Sequence, residues 1–194
     1  MKRLLSLVFV GFALILTGCE SNKMVTLETS PAIAEKPADN TASIVFFRSS
    51  FFGGAIQSSV FDVTDGTPRF VAIMSAGTKF AYTAEPGKRM YMVVGEAANF
   101  VDADLRDGHT YFLRVSPRIG LWKARFDFEV VNYNDKRLAE ELKPLTWKDN
   151  SQAARDWAVE NNGSVNEKMR EYLPRWKEAA DKAILPADFG RPPR

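Results

Sequence analysis

The chain has 194 residues, with 26 Lys plus Arg against 24 Asp plus Glu, one His and one Cys. One cysteine excludes an intrachain disulfide, and one histidine excludes the two-histidine zinc sites and facial triads of many metalloenzymes. A nearly balanced charge with no concentrated basic face argues against a nucleic-acid partner.

The first element reads as an export signal over residues 1–18. Lys2 and Arg3 precede an apolar run, residues 4–16, broken only by Ser6 and Gly11, and the segment closes on Leu16-Thr17-Gly18-Cys19. At 13 residues the run is short of the roughly 20 needed to cross the hydrocarbon layer, so cleavage is expected rather than a permanent span. A small pair before a cysteine resembles the lipobox of bacterial lipoproteins. That resemblance implies diacylglycerol on the Cys19 thiol, cleavage between Gly18 and Cys19, and acylation of the new amine. The competing reading is an ordinary signal peptide that happens to hold a cysteine. Several acyl chains would hold the protein at the membrane essentially permanently, where one gives only marginal binding. Cys19 is then an anchor and not a catalyst. Glu20 follows it where an aspartate would resemble an inner-membrane retention signal, so the expected address is the outer membrane, facing the periplasm. Losing Lys2 and Arg3 leaves equal numbers of basic and acidic side chains in the 176 residues that remain.

Residues 19–41 comprise the acylated cysteine and a polar stretch with Pro31 and Pro37 and no sustained period, read as a flexible tether with a root-mean-square reach of roughly 25 Å. Residues 42–132 change texture to short apolar or alternating runs between turn signals. They read as strands at 43–48, 56–63, 69–74, 79–83, 89–95, 100–105, 110–115 and 121–131. In the last, Trp122, Ala124, Phe126, Phe128 and Val130 alternate with Lys123, Arg125, Asp127 and Glu129, which requires one covered face and one wet face. Asp65-Gly66 and Asp107-Gly108 suit hairpin turns, and Pro86-Gly87 suits a type II turn. The expected fold is mainly β with C-terminal helices: an antiparallel β-sandwich of seven or eight strands followed by a helical hairpin, with a small open barrel as the alternative.

Residues 133–194 read as a helical extension with an extended, proline-rich tail from Pro186. A short helix over 136–142 ends before Pro144. A second, capped by Asn150 or Ser151, carries Ala153, Ala154, Trp157 and Ala158 and stops at Gly163. Ser164 and Glu167 have capping-box spacing for a third, striped by Val165, Met169, Tyr172, Leu173, Trp176, Ala180 and Ala183, with a kink or break expected at Pro174. Trp157 and Trp176 are expected to pack internally.

An apolar strand ending in Arg48, the loop from Phe51 to Gly54, Asp65-Gly66, the run from Thr78 to Tyr82, Pro86-Gly87-Lys88 and the run Asp107-Gly108-His109-Thr110-Tyr111-Phe112 form a pattern. Over residues 42–115 it resembles the bacterial lipoprotein family named domain of unknown function 2846. That family is similar in turn to small sandwich modules related to PEGA and carboxypeptidase-regulatory domains. The resemblance implies a fold and an envelope address; it brings no activity or catalytic residues, and the helical end lies outside it.

Direct signs of chemistry are few. Asp102, Asp104 and Asp107 suggest a calcium loop, but Arg106 breaks the oxygen series and Leu113 stands where that loop needs a bidentate glutamate. A serine triad would need His109, which falls at a turn, and Ser75 lacks the preceding glycine of a nucleophile elbow. The expectation is therefore no catalytic residue, metal or cofactor. Adjacent Phe51 and Phe52 are the remaining lead, because two neighbours cannot both face one sheet interior. They are expected either to form a binding surface or to fold back over an open end of the sheets. The sequence points to a non-catalytic, membrane-anchored envelope lipoprotein, a structural or protein-interaction module with an envelope protein as partner. The alternative is a glycan-binding module, with peptidoglycan as its ligand; a hydrolase ranks third.

Overall fold

In a computed structural model the described residues are 23–118 and 125–193. Eleven strands and four helices follow in chain order: β1 (Met24–Thr26), α1 (Ala32–Glu35), β2 (Ala42–Arg48), β3 (Ser58–Asp62), β4 (Arg69–Met74), β5 (Thr78–Ala84), β6 (Gly87–Val94), β7 (Ala98–Leu105), β8 (Thr110–Arg118), β9 (Arg125–Val131), α2 (Leu138–Leu142), β10 (Thr146–Asn150), α3 (Gln152–Glu160), α4 (Asn162–Glu178) and β11 (Ala183–Leu185). They form a six-stranded sheet, β1-β10-β5-β2-β8-β9, and a five-stranded sheet, β11-β7-β6-β3-β4. The protein is mainly β, and the sheets do not close into a barrel.

The central strand explains the layering. In β2 every residue is buried, because Ile44 and Phe46 join the core shared with the other sheet while Val45 and Phe47 turn to a separate cluster with Ala34, Leu138 and Leu145. A strand covered on both faces reads as a continuous apolar run rather than an alternating one. On the far side, Val165, Met169 and Trp176 of α4 cover Phe61, Met92 and Phe100 of the five-stranded sheet. Trp157 packs there too, so both tryptophans are internal contacts.

Several expectations are corrected. Both sheets are mixed, not antiparallel: β2 runs parallel to β8, β10 to β5 and β11 to β7. Of the three strands beyond the expected eight, β1 and β11 have 3 residues each, too few for an alternation to register, and the 5-residue β10, Thr-Trp-Lys-Asp-Asn, carries a single apolar residue. Gly66, Gly87 and Gly108 all have positive φ, at 81°, 99° and 70°, yet only the first closes a hairpin, between β3 and β4. Pro86-Gly87 and Asp107-Gly108 carry the chain from one sheet to the other. Such dipeptides report local backbone conformation and say nothing about which strands pair.

The segment expected to be a tether departs most. Within residues 23–41, β1 pairs with β10 and Ala34 of α1 is buried. At the other end, Ser151 caps α3, its Oγ accepting from the Ala154 amide at 3.3 Å. Gly163 does not end a helix; the axis changes at Asn161, whose Nδ2 donates to the Trp157 carbonyl at 2.8 Å. Ser164 lies inside α4 and bonds back to the Asn161 carbonyl rather than capping with Glu167. The helix runs unbroken through Pro174, and Ala183 belongs to β11 instead. The tail is not simply extended: Ala187–Phe189 forms a 3-10 turn and Arg191 bridges Thr110. Residues 121–124 of the expected last strand lie outside the described residues.

Candidate functional site

Arg48 builds the most distinctive surface feature. It ends β2 with a fully buried side chain whose guanidinium carbon lies 4.8 Å from the Phe126 ring. Nη1 donates to the Ile56 carbonyl at 2.6 Å, and Nη2 donates to the Phe52 and Gly53 carbonyls at 3.0 and 2.9 Å. Burial lowers its pKa from the ordinary arginine value, but an arginine starts so high that it stays charged. Three carbonyls fanned onto one cation hold residues 49–57 in a fixed arch.

The arch presents its apolar residues outward. Phe51 is 75% exposed and Phe52 56%. Phe51 does lean on the next turn, since a Cβ at Gly77 would lie 3.3 Å from its ring, but most of each ring faces solvent. Beside the arch runs a groove of about 1010 Å³ lined in part by Lys23, Thr26, Ala55, Ile56 and Lys148. Lys23, the first described residue, therefore lies beside the arch on its Ala55 and Ile56 side. Cys19 and Gly18 lie outside the described residues.

A second concavity, of about 460 Å³, opens between α1, α2 and the outer face of the six-stranded sheet, with Phe112, Tyr133, Trp147, Lys79 and Glu35 in its wall. Lys79 Nζ donates to the Leu142 carbonyl at 2.9 Å and sits 4.7 Å from the Trp147 ring centre. Burial lowers the Lys79 pKa, against a smaller opposing effect of Glu35. The wall is braced by Arg114 of β8, which donates through Nε to Glu141 of α2 at 2.6 Å and through Nη1 to Glu129 of β9 at 2.6 Å.

The residues tested for chemistry are not brought together. His109 Nδ1 lies 2.8 Å from the Asp107 carbonyl, and the His109 carbonyl accepts from Ser43 near the start of β2. Ser75 lies at the opposite end, where its Oγ accepts from Gln57 and neighbouring Gly77 donates to the Arg48 carbonyl. The seven-residue length of β2, about 20 Å at 3.3 Å per residue, separates them. Among the described residues no three His, Cys, Asp or Glu side chains gather as a metal site needs, and no described helix is long and apolar enough to cross a membrane. No family model matches the chain, and no curated protein matches it.

Sequence reasoning picked out Phe51 and Phe52 but took Arg48 only as the end of an apolar strand and missed its hold on the loop. The available signal was a lone cation closing an uninterrupted apolar strand, directly before a glycine-containing loop whose carbonyls need partners.

Proposed function

We propose that this protein is a non-catalytic lipoprotein of the bacterial envelope, anchored through Cys19 to the outer membrane and facing the periplasm. Its two sheets act as a β-sandwich scaffold of the kind the family named domain of unknown function 2846 suggests, with a structural or interaction role. The observation that supports this reading is the arch at Phe51 and Phe52, an exposed apolar surface fixed by a buried cation beside the groove that Lys23 lines. Ordering costs are met in advance when a contact loop is held in one shape. The apolar stripe of α4 is spent on the five-stranded sheet and does not supply that surface.

Fractionation of cells expressing the wild-type and Cys19→Ala chains tests this. The wild-type chain is expected in the membrane fraction and the variant outside it; equal distribution of the two contradicts the reading.

The alternative of a glycan-binding module draws support from the concavity under α2, where Tyr133 and Trp147 stand among Lys79 and Glu35, the mixture of apolar faces and polar groups that sugars require. Co-sedimentation of the protein with purified cell-wall sacculi, reduced by Trp147→Ala, is its expected result; no sedimentation at low salt ends it.

A further inference from the structure

We infer that the arch at Phe51 and Phe52 is a second membrane contact, inserting into the interface of the bilayer that holds the lipid at Cys19. This rests on Cys19 being the acylated residue, and it names the occupant of the arch as lipid.

Among the described residues six large hydrophobic side chains are well exposed, and Val25, Phe51, Phe52 and Ile56 are four of them. All four belong to β1 or the arch, so exposed apolar surface is concentrated where the chain comes in. Length then fixes proximity. Lys23 lines the groove with Ala55 and Ile56, and the four residue steps back to Cys19 span at most about 14 Å however they are arranged. A headgroup layer within that distance of Lys23 lies within reach of the arch.

The chemistry suits an interface more than an aqueous partner. Aromatic rings favour the depth where acyl chains meet headgroups, and cations beside them favour anionic lipid. Lys23 and Lys148 both line the groove beside the arch. Two phenylalanines alone would bind a bilayer weakly, but a domain already tethered sees that bilayer at high effective concentration. Insertion would orient the domain: β2 would run away from the surface, with the Asp107-Gly108 turn at its far end.

The acylated full-length protein supplies the test, because lipid on Cys19 leaves an introduced cysteine as the only free thiol. Phe52→Cys and, as the distant control, Asp107→Cys are labelled with a nitroxide and reconstituted in vesicles of phosphatidylethanolamine and phosphatidylglycerol. Accessibility to oxygen, which partitions into lipid, is compared with accessibility to a water-soluble nickel chelate. The expected result is an oxygen-to-nickel ratio that favours oxygen at position 52 and nickel at position 107. Replacing Phe51 by Ser in the Phe52→Cys protein should shift position 52 toward nickel while the protein stays on the vesicles. Equal nickel access at both positions overturns the proposal while leaving the anchor intact. Shielding of position 52 from both reagents overturns it in favour of a protein partner. Labelling of the wild-type protein would expose a free Cys19 thiol, and the proposal would fall together with the anchor.

Discussion

Arg48 is the residue on which the arch depends, and its environment predicts what its loss costs. A methionine at that position fills similar space and removes the buried charge, but it strands the Phe52 and Ile56 carbonyls. Unpaired buried acceptors cost about 1–3 kcal/mol each, so Arg48→Met should lower stability in urea unfolding by about 2–4 kcal/mol. An unchanged midpoint would show that the arch holds itself. Gly190 makes a contrasting steric case. Its φ of −77° suits any residue, yet a Cβ there would lie 2.6 Å from the Tyr111 ring. Tyr111 in turn accepts from the Arg106 amide and donates to the Ala187 carbonyl. Gly190→Ala should therefore cost about 1–3 kcal/mol in the same assay, as overpacking does, by prying the tail from the sheet. The Gly190 role was not legible from sequence, because Tyr111 is brought close only by folding; for Arg48 the one signal was its place at the end of an apolar strand before a glycine-containing loop. Phe51 and Phe52 were legible, since adjacency alone prevents two side chains from sharing one interior.

Strands with an apolar run or a clear period were readable, and the two 3-residue strands and the polar β10 were not. Strands β2 to β8 fall where apolar runs and alternation place them, whereas β1, β10 and β11 derive their identity from the neighbours they pair with. Propensity is a weak guide when pairing decides. The C-terminal helices were readable as helices, and the inward packing of Trp157 and Trp176 was readable from their apolar stripes. Trp176 is 9% exposed against Phe100, so Trp176→Ala should lose about 3–5 kcal/mol of stability. Removing residues 147–194 should cause aggregation rather than leave a soluble sandwich, because it strips β10 and β11 and uncovers Phe61, Met92 and Phe100. A monomeric, cooperatively folded truncation would contradict that cover. The brace of α2 predicts a pH response. Burial alone would raise the Glu141 and Glu129 pKa values, but hydrogen bonds to Glu141 from Arg114 and Ser49, and to Glu129 from Ser116 and Arg114, outweigh it and hold both below the usual carboxylate range. Their contribution is present above the unfolded carboxylate pKa of about 4.3 and lost as pH falls through the lowered folded values. Acid should loosen α2 below about pH 4, seen as a change in Trp147 emission, and Glu141→Gln should blunt that change.

At the scale of the whole molecule, the two sheets and their two helical covers place the arch and the N-terminal entry on one side of the scaffold and the Asp107-Gly108 turn at the other end of β2. In the proposed role this arrangement would let the lipid hold the domain at a surface and the arch aim it. The proposed anchor rests on composition, since the one cysteine sits where lipidation requires it. The closeness of Lys23 to the arch was illegible, because the two are separated by some thirty residues and meet only through β1, β10 and β5. Everything in the proposed role follows from the modification of one sulfur atom. Mass spectrometry of the N-terminal peptide of protein extracted from membranes tests it most directly. The expected species begins at Cys19 and carries a diacylglyceryl thioether with an acylated amine; a peptide with an unmodified Cys19 thiol would contradict the account.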